Sequence, residues 1–513
     1  MSKKQLIVHV LVVLALALMF TPTASAAPGS ALSDCVKTHT VVAADWLSKI
    51  SDKEYGSITA YWPIMAATNQ KNAADKTFAK IDNADLIDVG WKLCIPAKAD
   101  AEAFLKTFNP NNPSALFAKG AKGQLLVGSW WTNAGEFAGL NEMFKLYKKA
   151  APDVEIVNAT IAGGAGTNFK GQLLTQMIGG VAPDSFQLHA GLEVETYDPG
   201  KLIVPVTDIY KSENLEAVFP KGLLDMLKYK NEYWGVPVNI HRSNVFWYNK
   251  DVLAKAGVTK VPETWAELWA ACDKIRAAGM TCIAHGGKDG FELQHTMEDI
   301  LAGSMSADEY RGLWSGSYKW SGDKVTNALN TFKTYLTHAN KDYNALTWAA
   351  AAQLVIDGKA GFNVMGDWFW GQVVASKAQA KVGWAPVPGT KGIFVALSDS
   401  FALPAKAPNV DNAKSWLKLA GSKAAQEAFN PQKGSICART DCNLALFDDY
   451  LKSAAADWAK DAIVPSVVHG AAATPKWATK GFADPIVLFA TSGDVAKTQA
   501  ALVQAAKDAG IAQ

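Results

Sequence analysis

Short apolar stretches alternate with longer amphipathic ones after Gly123, and this alternation constrains the fold more than any other feature of the chain. QLLVGSW (124–130), VEIVNATI (154–161) and SFQLHA (185–190) have the length and composition of buried strands. Helical patterns separate them, and strands that alternate with helices predict βαβ units around a parallel sheet. A chain of 513 residues is too long for a single core, so we expect more than one domain.

The first 26 residues are predicted to be a secretory signal peptide. Lys3 and Lys4 precede an apolar run from Leu6 to Phe20, and the small residues Ala24-Ser25-Ala26 follow. This is the charged, apolar and cleavable layout of such a peptide. The run is short for a membrane span of about 20 residues, and an uncleaved anchor is the alternative. We therefore expect an exported protein, located in the periplasm, in the cell wall or outside the cell.

The six cysteines are expected to form three disulfides, because an even number in an exported chain favours them. The prediction pairs neighbours along the chain: Cys35 with Cys94, Cys272 with Cys282, and Cys437 with Cys442. No pair has the C-x-x-C spacing of a zinc site, so no metal is expected.

The charge balance gives no indication of a nucleic-acid partner. Lys and Arg number 50 and Asp and Glu 48, and without Lys3 and Lys4 the two totals are 48 and 48. No basic stripe is interleaved with aromatic residues, so nucleic acid is not expected as a ligand. The glycine-rich stretch GGAGTNFK (163–170) lacks the ending of a phosphate loop and is interpreted as a flexible β-to-α turn. No cofactor is expected.

Residues 35–97 have the pattern of a small separate domain. THTVVAADWLSKISDKEY (38–55) reads as a strand and an amphipathic helix, a second helix follows, and NADLIDVGWKLCIP (83–96) ends on a turn and a second strand. These residues resemble a LysM domain with its βααβ order. The resemblance implies binding to glycans that contain N-acetylglucosamine, such as peptidoglycan, and a scaffold that no longer binds glycan is the alternative.

A linker and a large domain are predicted to follow. Residues 98–122 contain FNPNNPS, in which two prolines and an Asn cluster are typical of a linker. The large domain is assigned to residues 123–513.

Tryptophan is concentrated in the large domain, often beside small or polar residues. Among the 18 Trp are Trp130-Trp131, Trp348, Trp368 and Trp384. A buried indole needs a partner for its N–H, so cores normally hold few of them. Indole faces suit the flat C–H faces of pyranose rings, and acids, amides, Lys and His suit their hydroxyls. The pattern favours sugar binding, with aromatic core packing as the alternative.

Several blocks follow one another in an order that is diagnostic for the large domain. They are SWWTNAGE (129–136), PDSFQLHAG (183–191), NEYWGVPVNIHRSNVFWYNKDVLAKAGV (231–258), VPETWAEL (261–268), LTWAAAAQLVIDGKAGFNVMGDWFWG (346–371), WAPVPGT (384–390), SDSFALP (398–404), KGSICARTD (433–441) and PSVVHG (465–470). Residues 123–510 thereby resemble the solute-binding protein of a bacterial sugar ABC importer, most closely the glucose- or mannose-binding subgroup. The resemblance implies the periplasmic-binding-protein type II fold: two α/β lobes joined by a hinge, a monosaccharide between them, and a membrane permease as partner. A monomer is expected.

The same resemblance implies which residues contact the sugar. Trp130 and Trp131 line the cleft in the first lobe, one of them stacking on the sugar, and Trp348 and Trp368 form the opposite wall. The polar contacts that it implies are Glu136, His189, His241, Asn244, Asp399, Lys433 and His469. Asp399 is expected to bind two adjacent hydroxyls. Asp367 is expected to cap a turn, and Phe291 stands where the family often has Trp.

Other functions compete with a monosaccharide receptor. The large domain could capture a cell-wall amino sugar or an oligosaccharide. A glycoside hydrolase with a LysM targeting module would use Glu136 and Asp399 as its acid pair. An adhesin or scaffold would not need the whole set of sugar-contact residues. The expectation from the sequence is a receptor without catalysis.

Overall fold

The computed structural model describes residues 32, 35–42, 45, 47–56, 61–81, 87–107, 123–163, 166–511 and 513. The predicted signal peptide lies outside the described residues, as do residues 108–122 of the predicted linker. The chain divides into two compact units, Met1–Pro110 and Asn111–Gln513.

The described part of the first unit has the predicted order of strand, helix, helix and strand, and a further helix follows. Its elements are β1 (Lys37–Thr40), α1 (Leu47–Tyr55), α2 (Trp62–Ala74), β2 (Lys92–Ile95) and α3 (Lys98–Thr107). The two strands are antiparallel, with Thr38 opposite Cys94. Leu47, Ile64 and Leu93 are buried in the core of the unit. The sequence analysis assigned Lys98–Thr107 to the linker, but this stretch rich in helix-forming residues is helical and Ala101 is buried.

The first lobe of the second unit is built on a mixed sheet. Its strands are β3 (Gln124–Ser129), β4 (Glu155–Thr160), β5 (Ser185–His189), β6 (Ile203–Val204), β9 (Val236–Pro237) and β16 (Asp399–Pro404). The sheet order is β4-β3-β5-β16-β6, with β9 beside β16. β3 runs parallel to β4 and β5, as predicted from the alternation, whereas β16 is antiparallel to β5.

The helices of the first lobe cover this sheet. They are α4 (Ala134–Ala150), α5 (Thr167–Ile178), α6 (Thr207–Ser212), α7 (Lys221–Leu227), α15 (Val410–Ala420) and α16 (Lys423–Lys433). A hairpin of β7 (Lys228–Tyr229) and β8 (Glu232–Tyr233) lies before β9. α4 packs against α16, which brings the first helix of the lobe against one that is almost 300 residues later in the chain.

The second lobe has its own sheet and core. The sheet order is β12-β13-β11-β14, and its strands are β11 (Val245–Asn249), β12 (Thr281–Ile283), β13 (Ala360–Val364) and β14 (Val382–Pro386). Its helices are α8 (Lys250–Lys255), α9 (Trp265–Ala277), α10 (Phe291–Ser304), α11 (Ala307–Ser315), α12 (Asp323–His338), α13 (Trp348–Ile356), α14 (Trp368–Ala375), α18 (Asp484–Ser492) and α19 (Val495–Asp508). Apolar faces of α10 and α12 pack on each other in the core.

Three short strands pair where the chain passes between the lobes. They are β10 (His241–Arg242), β15 (Ile393–Leu397) and β17 (Ala462–Pro465), in the order β10-β15-β17. The helix α17 (Asp449–Lys460) leads into β17. β15, which lies where the chain crosses between the lobes, continues directly into β16 of the first-lobe sheet. Side chains on these strands therefore lie at the junction of the two lobes.

The three disulfides pair as predicted. Cys35 is bonded to Cys94, Cys272 to Cys282, and Cys437 to Cys442. The second disulfide ties α9 to β12, and the third closes a loop after α16. No helix within the described residues is long and apolar enough to cross a membrane.

Candidate functional site

Asp399 lies at the centre of a buried polar network. It is the first residue of β16 and stands directly opposite His189, the last residue of β5, because the two antiparallel strands are in register. Its Oδ1 accepts a hydrogen bond from Gln187 Nε2 at 2.8 Å. Its Oδ2 accepts from Asn239 Nδ2 at 2.9 Å and from His241 Nε2 at 3.1 Å.

Asp399 is charged although it is only 2 % exposed. Burial alone would raise its pKa, but the hydrogen bond from His241 and the charges of Lys433 and His241 outweigh burial and hold its pKa below the ordinary value. A carboxylate in this state is a strong acceptor of hydrogen bonds. It has about four lone-pair sites, so it retains capacity for a ligand.

His241 links the carboxylates of Asp399 and Asp367. Its Nδ1 donates to Asp367 and its Nε2 to Asp399. Burial lowers its pKa, but the charge of Asp367 and the hydrogen bonds to both acids reverse this and raise it. The expectation that Asp367 caps a turn is wrong. Asp367 occupies the N-cap position of α14 without a side-chain cap bond, and its carboxylate instead accepts from His241 and from the backbone N–H of Arg242.

His189 belongs to a second charged group on the first lobe. Its Nδ1 lies 2.7 Å from Glu193 Oε2, and Lys170 Nζ lies 2.7 Å from the same oxygen. Burial would raise the pKa of Glu193, but the charges of Lys170 and His189 lower it to about 2. Glu193 fixes the ring of His189 in this arrangement, and the free Nε2 faces Asp399 Oδ1 at 3.7 Å.

Aromatic and imidazole rings surround the carboxylate, and we call them the ring cluster. They are Trp130, His189, His469, Trp368 and His295. Neighbouring ring centroids are 5.0 Å apart for Trp130 and His189, 5.3 Å for His189 and His469, 5.1 Å for His469 and Trp368, and 5.5 Å for Trp368 and His295. The cluster thus runs without a gap from the first lobe to the second.

His469 leaves a polar atom of the ring cluster unpartnered. Its Nε2 is buried and has no hydrogen-bond partner among the described residues. Burial and the neighbouring His189 and His295 hold its pKa well below the ordinary value, so the ring is neutral and can donate or accept. An unpaired buried nitrogen costs about 1–3 kcal/mol, which a ligand hydroxyl would offset.

Lys433 and Glu136 form a buried ion pair at the edge of the ring cluster. Lys433 ends α16 and Glu136 is in the first turn of α4, and Nζ lies 3.2 Å from Oε1. The ammonium is 5.9 Å from the ring centroid of Trp368. Asn133 Nδ2 donates to the other Glu136 oxygen at 3.2 Å.

Three predicted contact residues take other positions. Trp131 is fully buried in the core of the first lobe between Phe401 and Phe429. Trp348 begins α13, and its backbone N–H donates to Glu292 at 3.0 Å. Asn244 hydrogen-bonds to Thr390 and to the backbone of residues 393 and 395. The structure therefore brings Trp130 and Trp368 into the ring cluster, whereas these three lie outside it. Trp131 still contacts a residue of the site, because Lys433 Nζ is 5.6 Å from its ring centroid.

The sequence analysis missed polar residues of the network. Gln187 and Asn239 both donate to Asp399. Each lies two positions before a predicted histidine, and alternate residues of an extended chain point the same way, so this spacing was a usable signal. Lys170 belongs to the stretch interpreted as a flexible turn, but it lies on α5 and faces Glu193.

This arrangement suits binding of a hydroxylated ligand. Charged acceptors, amide donors and aromatic rings converge on one buried place, as in small-molecule sites. A glycosidase would need a carboxylic acid with a raised pKa, whereas the pKa of Asp399 is lowered. Among the described residues, no group of three or more His, Cys, Asp or Glu side chains is arranged to hold a metal ion.

Comparisons with known proteins agree with this fold. The family model for bacterial extracellular solute-binding proteins matches residues 130–427. An ABC transporter extracellular-binding protein of Pyrococcus horikoshii is 33% identical over 387 residues, which cover 75% of this chain and 87% of the relative. A probable sugar-binding periplasmic protein of Brucella suis is 32% identical over 66% of this chain and 82% of its own.

A solved structure shows the same fold. It is a bacterial solute receptor described as having an exclusive preference for β-D-galactopyranose, and it superposes with a TM-score of 0.66 at 20% identity, covering 75% of this chain and 99% of that one. These relatives are solute-binding proteins and not enzymes. The chain belongs to the family of bacterial extracellular solute-binding proteins.

Proposed function

We propose that this protein is the extracytoplasmic sugar receptor of an ABC importer and that it binds one monosaccharide, glucose or mannose, between its lobes. The observation that carries the proposal is Asp399, a buried charged carboxylate held by three polar side chains and flanked by the rings of Trp130 and Trp368. Three hydrogen bonds occupy Asp399, two on Oδ2 and one on Oδ1, so Oδ1 can still accept from a sugar hydroxyl, and indole faces suit the C–H faces of a pyranose.

The position of the site supports a ligand held between the lobes. Trp130 and His189 of the ring cluster belong to the first lobe and Trp368 and His295 to the second, and neighbouring ring centroids are 5.0–5.5 Å apart. A ligand that contacts both lobes would stabilise the closed state over the open one, since a ligand shifts the equilibrium between two states only through contacts that differ between them. The name of the Brucella relative supports sugar as the ligand class.

Titration of tryptophan fluorescence tests the proposal. The purified protein is titrated with glucose, mannose, galactose, xylose, maltose and N-acetylglucosamine. We expect a saturable change with glucose or mannose that is lost in Trp130→Phe but kept in Trp314→Phe, since Trp314 lies in the core of the second lobe. Saturation with N-acetylglucosamine alone would assign the site to a cell-wall amino sugar, and a response to maltose alone would contradict a monosaccharide site.

The partner and location follow from the same proposal. The sugar-loaded, closed form is expected to dock on a membrane permease, with the protein exported as a monomer after removal of residues 1–26. Mass spectrometry of the secreted protein checks this, because cleavage after Ala26 fixes the new N-terminus at Ala27. An N-terminus at Met1 on the exported protein would contradict it.

We also propose that the first unit is a LysM domain that tethers the receptor to peptidoglycan. The strand, helix, helix, strand order and the pairing of β1 with β2 support this. Tethering would hold the receptor near its permease and raise its local concentration. The full protein should be retained on purified peptidoglycan, and a variant without residues 35–97 should not. Equal retention of the two proteins would contradict the tether.

A further inference from the structure

Two helices of opposite lobes touch through glycine. Gly135 lies in α4 of the first lobe and Gly371 in α14 of the second. A Cβ atom on Gly135 would lie 2.5 Å from the carbonyl carbon of Gly371 and 2.6 Å from its Cα. Side-chain Cβ atoms do not approach other atoms below 3.0 Å, so this contact of the two backbones requires that both residues lack a side chain.

The end of α16 completes the same contact. A Cβ on Gly371 would lie 2.6 Å from the backbone oxygen of Lys433, and a Cβ on Gly434 would lie 2.5 Å from the backbone nitrogen of Gly371. Three backbone segments, α4 and the end of α16 in the first lobe and α14 in the second, therefore meet at one point. We call Gly135, Gly371 and Gly434 the glycine contact.

The glycine contact belongs to the junction of the lobes and not to the core of either one. α4 and α16 pack against each other within the first lobe. α14 follows β13 of the second lobe, and its Trp370 packs on Trp247 of β11 with ring centroids 5.7 Å apart. The residues next to these glycines are in the site: Glu136 follows Gly135, and Lys433 precedes Gly434.

A second close approach lies on the side of His189 and His469. The backbone N–H of Glu193 donates to the oxygen of Gly470 at 3.0 Å. A Cβ on Gly191 would lie 2.6 Å from the Cα of Ala471. The lobes therefore touch through backbone at two places, one beside each end of the ring cluster.

Helix propensity makes the glycines in α4 and α14 unfavourable on local grounds. Glycine inside a helix is less stable than alanine, because it loses more backbone entropy. Alanine in place of Gly371 would favour its own helix and would be excluded only by the first lobe, through the backbone of Gln432 and Lys433. A Cβ on Gly135 would also lie 2.7 Å from the backbone oxygen of Gln432, within its own lobe. The approach of the lobes thus explains Gly371 fully and Gly135 in part.

We propose that the glycine contact sets how far the lobes close and thereby determines sugar affinity. The inference rests on the proposed function. With the contact made, Lys433 of the first lobe lies 5.9 Å from the ring of Trp368 in the second. One added methyl group at the contact would separate these residues and leave a sugar bound mainly to one lobe.

Sugar affinity of alanine variants tests this proposal. Gly371→Ala and Gly135→Ala are compared with Gly171→Ala, a matched control in α5 where an added Cβ meets nothing within 4 Å. By calorimetry, we expect both contact variants to bind the sugar at least about tenfold more weakly, since less of the protein reaches the competent closed state. By X-ray scattering at saturating sugar, they should compact less than wild type, and the control should match wild type.

The fold of each variant is checked without sugar by circular dichroism and thermal unfolding. We expect no loss of stability for Gly371→Ala and some loss for Gly135→Ala, whose Cβ also meets Gln432 inside the first lobe. Folded contact variants that bind within twofold of wild type and compact fully would overturn the inference. If Gly371→Ala does not fold, Gly135→Ala decides by the same two results. A wild-type protein that responds to no sugar contradicts the proposed function, whereas equal binding by wild type and variants contradicts only the role of the glycine contact.

Discussion

The buried charge of Asp399 depends on three hydrogen-bond donors, one from β5, one from the segment that leads into β10 and one from β10 itself. Gln187 is on β5, Asn239 precedes β10, and His241 is on β10. Hydrogen bonds to charged groups contribute about 1.5–3 kcal/mol each, which is enough to offset the cost of burying the carboxylate. The same donors leave a site free on Oδ1, the oxygen that lies 3.7 Å from His189 Nε2.

Asp399→Asn should weaken sugar binding by roughly ten- to a hundredfold, the equivalent of one or two charge-assisted hydrogen bonds. The amide keeps the shape but places a donor where sugar hydroxyls need an acceptor. Calorimetric titration measures the change. Asp208→Asn is the matched control, because Asp208 pairs with Lys414 on the surface, and wild-type affinity in the Asp399 variant would contradict the central role of this carboxylate.

Glu292 links stability to pH. It is buried, its Oε2 has no hydrogen-bond partner among the described residues, and burial raises its pKa from 4.5 to about 8. The folded state therefore holds a proton that the unfolded state releases between pH 4.5 and 8. Stability should fall as pH rises through this window, with a slope of up to about 1.4 kcal/mol per pH unit from this group.

Glu292→Gln should flatten that dependence, because the amide does not titrate. Urea unfolding at several pH values from 5 to 8.5 measures the slope for wild type and variant. Glu142→Gln is the control, since Glu142 pairs with Lys145 at the surface. A variant with the wild-type slope would show that Glu292 does not carry a proton in the folded state.

Several candidate site residues lie where a strand ends or begins or where a helix starts, and their contact with a sugar remains a prediction. His189 ends β5, Asp399 begins β16, and Glu136 lies in the first turn of α4. Asn244 could not be placed in this way. A polar residue beside a crossing strand can face the cleft or hydrogen-bond to the neighbouring backbone, and its sequence context is the same in both cases. The pairing of β10 with β15 puts Asn244 beside the backbone of β15, where it accepts from Val395.

At the level of elements, a helix start is recognisable in the sequence where a cap is present. Thr264 precedes α9, its side chain accepts from the backbone of Glu267, and the Glu267 carboxylate accepts from the backbone of Thr264, so both halves of a capping box form. The mixed sheets were not predicted, because β16 and β5 pair across more than 200 residues and local periodicity carries no information about such partners.

Thr264→Ala should destabilise the large unit by about 0.5–2 kcal/mol, because the first turn of α9 loses a partner for its N–H. Chemical denaturation followed by circular dichroism measures the loss. Thr491→Ala is the comparison, since Thr491 lies at the end of α18 and its hydroxyl donates to a backbone oxygen. An equal or smaller loss in Thr264→Ala would show that this cap contributes little.

At the level of the whole molecule, two separate cores imply two folding units. The core of the first unit contains residues from β1 to α3, and those of the second unit contain residues after Gly123. Its own disulfide closes the first unit over 59 residues of sequence. Each unit thereby has its own core, and we expect the two units to fold independently.

Sugar should therefore stabilise one unit only. In calorimetric unfolding we expect two transitions, and sugar at about 100 times its Kd should stabilise the larger unit by about 2.7 kcal/mol while the smaller transition stays in place. A variant without residues 35–97 should show only the transition that shifts, with unchanged sugar affinity. Cooperative loss of both units in one transition, or a shift of both with sugar, would instead mean that the first unit takes part in forming the sugar site.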